Sequence, residues 1–92
     1  MPGVEHIAVR IISEQESIIG PVAWSEARKV RGLRVDQATH GVQVEGNSRE
    51  TLEALVAQYE RLFGRASREV CRDAVRPLIS QVPQEEVPAV LR

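Results

Sequence analysis

This chain has few of the residues that usually build reactive or stapled sites. Its 92 residues include one cysteine, one tryptophan, one tyrosine and one phenylalanine. The lone thiol, Cys71, excludes a disulfide framework within the chain and points to a reducing, cytoplasmic setting. With Trp24, Tyr59 and Phe63 as the whole aromatic set, the core must be built from Val, Leu, Ile and Ala. Three aromatics at core-like positions also leave no stacking platform for single-stranded nucleic acid. No apolar run approaches a membrane span. Met1–Glu5 lacks a basic and an apolar leader segment, so no secretory signal is expected. Neither GxxxxGK[ST] nor GxGxxG occurs, and the glycines stand singly at turns. His6, His40 and Cys71 lie far apart, without the paired spacing of a zinc site. No metal, cofactor or catalytic residue is therefore expected.

Lysine is scarce as well: Lys29 stands against eleven arginines. Five of those, Arg61, Arg65, Arg68, Arg72 and Arg76, are spaced in helical register. At about 100° per residue they fall within roughly 60–80° of one another. Phe63, Ala66, Val70 and Ala74 fall opposite, with Leu62 and Leu78 on the flanks, so the segment predicts a core face and an arginine face. Glu69 and Asp73 stand three or four residues from stripe arginines, at spacings that form weak ion pairs. The stripe thus reads either as a solvated, salt-bridged surface or as an anion-binding face. Cys71 falls at the border of the two faces, flanked by Arg68 and Arg72, where it is either a small core-edge residue or a thiolate favoured by the guanidinium groups. Arg28, Lys29, Arg31 and Arg34 form a second basic cluster, and Arg28 and Arg31 join the candidate binding residues. The net charge of −1 provides no long-range field to steer a polyanion.

Periodicity divides the chain into short elements. Ile7, Val9 and Ile11 alternate with His6, Ala8 and Arg10, predicting a half-buried strand over residues 4–12. Ser13 and Glu16 have capping-box spacing. Gly20-Pro21 then opens a helix that Gly32 ends. Leu33–Val35 and Val42–Glu45, joined by the loop Asp36–Gly41, predict an antiparallel hairpin. Asn47 with Glu50 begins the strongest helix, through Leu52, Leu55, Val56, Tyr59, Leu62 and Phe63. Gly64 is expected to break or bend it, and the arginine-striped helix follows to about Ile79. A helix-turn-helix centred on Gly64 is excluded: Glu60 stands where a small residue is needed, and Arg65 where an apolar one is. Ile19-Gly20-Pro21 resembles Phe63-Gly64-Arg65, and Ala27-Arg28 aligns with Cys71-Arg72, but these matches alone do not establish a repeat.

The sequence therefore predicts one α+β domain over residues 1–81 and a proline-punctuated tail over 82–92, docked or flexible. The expected order is β-α-β-β-α-α, with a small antiparallel sheet of about three strands covered on one face by helices. The expected function is a non-catalytic interaction or regulatory module. It would act as a homodimer or bind another protein, with unpaired sheet edges and the apolar tail as docking elements. The alternative is an accessory protein that binds an anion, or less favourably a nucleic acid, through Arg61, Arg65, Arg68, Arg72 and Arg76. A small-molecule sensor or enzyme is third, and would need a pocket joining a histidine to a carboxylate.

Overall fold

A computed structural model describes residues 3–36 and 38–91. The expected hairpin loop and tail include Gln37 and Arg92, which lie outside the described residues. Four helices enclose the core, and one two-stranded antiparallel sheet packs beside them.

The first element corrects the expectation of a strand. Val4–Ile19 is a 16-residue helix, α1. It buries Val4, Ile7, Ala8, Ile11, Ile12 and Gln15, at spacings of three and four. The alternation of Ile7, Val9 and Ile11 is embedded in this longer helical pattern. Ala8, expected on a wet face, is fully buried. Ser13 lies inside the helix and caps nothing. Loss of this strand reduces the expected three-stranded sheet to two strands.

Helix α2 spans Val22–Ala27 and buries Ala23, Trp24 and Ala27. Strands β1 (Leu33–Asp36) and β2 (Gly41–Val44) pair antiparallel, with Leu33 opposite Val44 and Val35 opposite Val42. These four apolar residues share one face of the pleat, and β2 packs on α1. Asp36 shapes the turn: its carboxylate accepts from the Ala38 and Thr39 amides at 2.9 and 3.4 Å.

Helix α3 (Ser48–Phe63) starts as the sequence predicts, with the Asn47 side chain accepting from the Glu50 amide at 2.9 Å. It ends at Gly64, so residues 48–79 form no continuous helix. Helix α4 covers Ala66–Val75 and stops short of the expected Ile79. Pro77 has no N–H for the Asp73 carbonyl and its ring crowds that carbonyl. Three 3₁₀ turns follow, Ile79–Gln81, Gln84–Glu86 and Ala89–Leu91. They bring Val82, Val87 and Leu91 into the core cluster. Each such buried aliphatic side chain contributes roughly 1.5–3 kcal/mol.

The helices form two similar units. Gly20 ends α1 at φ 83° and ψ −167°, and Gly64 ends α3 at φ 94° and ψ 177°. Each glycine amide donates 2.9 Å to a glutamate carbonyl four residues earlier, Glu16 or Glu60. Each glycine carbonyl then accepts the amide that starts the next helix, from Ala23 or Ser67. Corresponding residues lie 44 positions apart: Gln15 with Tyr59, Gly20 with Gly64, Ala23 with Ser67, Ala27 with Cys71. The units also grip each other reciprocally. Gln15 Nε2 donates to the Ser67 carbonyl at 3.1 Å, and the Tyr59 hydroxyl donates to the Ala23 carbonyl at 2.6 Å. A contact from i to j matched by one from j's unit back to i's is the signature of two-fold symmetry. The few sequence matches around the two glycines mark an internal structural repeat.

Candidate functional site

The glycine break divides the arginine stripe. Arg61 belongs to α3, Arg65 stands at the start of α4, Arg68 and Arg72 lie within it and Arg76 follows its end. Most of these side chains are already engaged. Arg61 donates to the Gln58 side-chain oxygen at 2.7 Å. Arg68 reaches back across the break to the Glu60 carboxylate at 3.1 Å. Arg76 pairs with Asp73 at 3.1 Å on an exposed surface, where such a pair contributes little. Arg65 is exposed.

The helical wheel drawn across Gly64 also misplaces the core face. Leu62 and Phe63 are exposed at 44% and 41%, and Ala66 is exposed too. Helix α4 instead buries Ser67, Cys71, Ala74 and Val75. Cys71 therefore lies in the middle of the buried face. Burial pushes its thiol up to about 11, despite a hydrogen bond from Gln15 Nε2 at 3.4 Å that acts the other way. Arg68 and Arg72 produce no thiolate there.

The second basic cluster is partly neutralised. Lys29 pairs with Glu26 at 3.1 Å, and Arg34 with Glu45 at 3.4 Å. Hydrogen bonds from Lys29 and then Gln58 hold the Glu26 carboxyl below the usual range. Arg28 is exposed, and Arg31 borders a shallow hollow with Glu45, Asn47 and Glu50 that no α4 residue lines.

Arg72 and Arg76 meet a different environment. They line a pocket of about 380 Å³ with Gln84 and the apolar Ile79, Val87 and Leu91. One wall comes from α4 and its end, the other from the C-terminal 3₁₀ turns. No carboxylate among the described residues lines it. Arg72 is half-buried, and its Nε is shielded from solvent with no hydrogen-bond partner among the described residues. A buried donor left unsatisfied costs about 1–3 kcal/mol. Glu85 and Glu86, which had no evident partner in the sequence, sit instead in a hollow with Asn47, Ser48 and Arg49 at the start of α3. That helix end carries positive dipole character.

A second surface lies where the two units converge. The reciprocal Gln15–Ser67 and Tyr59–Ala23 bonds tie the C-terminal part of α1 to the start of α4 and that of α3 to the start of α2. The most exposed large apolar side chains among the described residues flank the two glycine breaks: Ile18 at 62% and Val22 at 41% on either side of Gly20, and the Leu62 and Phe63 already described just before Gly64. Ile18 and Leu62 occupy equivalent positions in the repeat. Sequence reasoning missed this patch because it assigned Leu62 and Phe63 to the core.

His40 is exposed, adopts φ 58° at the hairpin tip and stacks on Trp24, with ring centroids 4.0 Å apart. No group of three metal-ligating side chains occurs among the described residues. None of their helices is long and apolar enough to cross a membrane. Compared with known protein families, characterised proteins and solved structures, the chain matches none.

Proposed function

We propose that this protein is a non-catalytic interaction module that associates with a second copy of itself through the C-terminal ends of α1 and α3. The observation that supports this reading is the exposure of Ile18, Val22, Leu62 and Phe63 around those ends. Most other large apolar side chains among the described residues are buried or packed against the core, whereas these four stand exposed beside the two glycine breaks. Exposed apolar patches of this sort mark interaction surfaces. Their near-equivalence under the internal repeat favours a symmetric partner, because a two-fold-related patch is self-complementary. The four side chains would form the dry centre of an interface whose polar rim includes Arg61 and Arg65. Regulation would follow from whatever the dimer presents or hides.

The phosphate-contact alternative has weaker support. Arg61 and Arg68 already have partners within the chain, and the overall charge is −1.

Sedimentation velocity on the wild type and on I18E/L62E tests the proposal. The wild type is expected to sediment as a dimer at micromolar concentration. The double variant, altered only at exposed positions, is expected to be monomeric with an unchanged circular dichroism spectrum. A wild type that stays monomeric at about 100 μM, a concentration that fills any interface of micromolar affinity, removes the dimer reading.

A further inference from the structure

We propose that the pocket between α4 and the C-terminal 3₁₀ turns binds a small monocarboxylic acid with an apolar body. The lining divides into two chemistries. Arg72, Arg76 and the Gln84 amide provide polar groups on one part, and Ile79, Val87 and Leu91 provide an apolar surface on the other. Two guanidinium groups, with no carboxylate among the described lining residues, select an anion. Three aliphatic side chains beside them select a ligand that carries apolar surface next to its charge. The volume of about 380 Å³ is in the range of small-molecule pockets.

Two features separate this place from an ordinary arginine surface. The first is the Arg72 Nε, which is shielded from water and unpartnered among the described residues. A turn of the Arg72 side chain toward the pocket would offer that hydrogen to a carboxylate and give the donor the partner it lacks. The second is the exposure of the Arg76–Asp73 pair, with side chains 71% and 66% accessible. A solvated pair of that kind is easily exchanged, so Arg76 can turn to a ligand at little cost. Inorganic phosphate satisfies the arginines and leaves the apolar wall wet. An alcohol does the reverse. A carboxylate with a short hydrocarbon chain satisfies both.

The site also links two parts of the fold. Arg72 and Arg76 belong to α4 and its end, while Gln84, Val87 and Leu91 belong to the C-terminal turns. A ligand that touches both holds the turns against the helix. Binding would therefore slow hydrogen exchange at the Val87 and Leu91 amides, which donate to the local carbonyls of Gln84 and Pro88. The pocket shares no residue with the self-association patch, so either proposal can fail alone.

Titration of ¹⁵N-labelled protein with octanoate, octanol and inorganic phosphate at neutral pH tests the assignment. Octanoate is expected to move the amide signals of residues 72–91 saturably, with a dissociation constant below about 1 mM. Octanol and phosphate are each expected to bind at least about ten-fold more weakly. R72Q and R76Q are each expected to weaken octanoate by a similar factor and to leave octanol unchanged. R76Q changes an exposed side chain, so it still reads out if R72Q fails to fold. Equal binding of octanoate and octanol would make the pocket merely apolar. Tighter binding of phosphate would make it a simple anion site. Octanoate shifts that fail to saturate, or that fall outside these residues, would overturn the proposal outright.

Discussion

Cys71 shows how much a single position depends on what packs against it. In the sequence it stands between Arg68 and Arg72, a setting that favours the thiolate. In the fold the thiol is fully buried, while Arg68 and Arg72 are partly buried. Burial dominates, and the thiol rises to about 11. Cys71 is therefore expected to resist a disulfide reagent at pH 8 and to react at once in guanidinium chloride. Rapid labelling of the folded protein would contradict the packing. The same shift makes stability depend on pH. The unfolded thiol ionises near pH 9 and the folded one near 11. Below pH 9 both states hold the proton and the contribution is fully present. As pH rises from 9 to 11, the unfolded state releases its proton first and gains stability. Urea midpoints are thus expected to fall across that window, by an amount worth about 2 kcal/mol. Tyr59, whose hydroxyl burial also pushes upward, adds to the fall above pH 10. Cys71→Ala should flatten the first part of the decline, provided both proteins are compared with their own neutral-pH values. The charged neighbours of Cys71 and its character as a largely buried core-edge residue were legible in the sequence; its place in the middle of the buried face required knowing that the wheel ends at Gly64.

Element boundaries were easiest to read where a local hydrogen bond sets them. Asn47 and Glu50 announced the start of α3, and the Asn47 side chain makes the expected bond. The two hairpin strands and the break at Gly64 follow equally local rules. Helix α1 was not legible in that way. Its β-branched run fits a period of two over residues 7–11, and only the longer series from Val4 to Gln15 shows the helical spacing. Tertiary burial then outweighs the modest strand preference of Val and Ile. The end of α4 was legible in Pro77 but was set too late, at Ile79. The glycine breaks make a paired prediction. Gly20 and Gly64 both occupy a region of backbone space that is essentially restricted to glycine. A Cβ built at either would touch no atom within 4 Å. The cost of Gly20→Ala and of Gly64→Ala is therefore conformational alone, about 1–3 kcal/mol for each. Thermal melts should show similar losses for the two variants. A neutral Gly64→Ala with increased helical circular dichroism would mean that α3 and α4 can fuse.

At the scale of the whole molecule, the repeat governs how the chain holds together. Helix α1 packs extensively on α4, across the boundary between the units. The bonds of Gln15 to Ser67 and of Tyr59 to Ala23 span the same boundary. Neither unit therefore completes a core from its own residues. This was invisible in the sequence, because the repeat conserves backbone geometry and burial while the side chains differ: Gln15 answers Tyr59, and Ala27 answers Cys71. Isolated helices of this length are marginal in water, and chains of about 40 residues seldom fold without a staple. Cutting between Gly46 and Asn47 should accordingly leave two fragments, 1–46 and 47–92, that are each weakly helical and melt without cooperativity. Mixed in equal amounts, they should regain helical signal and a single cooperative transition, because each supplies the apolar face the other lacks. Weakening the reciprocal bonds tests the same dependence in the intact chain. Tyr59→Phe removes a buried hydroxyl and its bond to the Ala23 carbonyl, a loss of about 0.5–1.5 kcal/mol. In the fragment mixture the same change should raise the dissociation constant by about two- to ten-fold. If residues 1–46 alone gave a cooperative melt, the first unit would carry its own core, and the contacts between units would be incidental to folding.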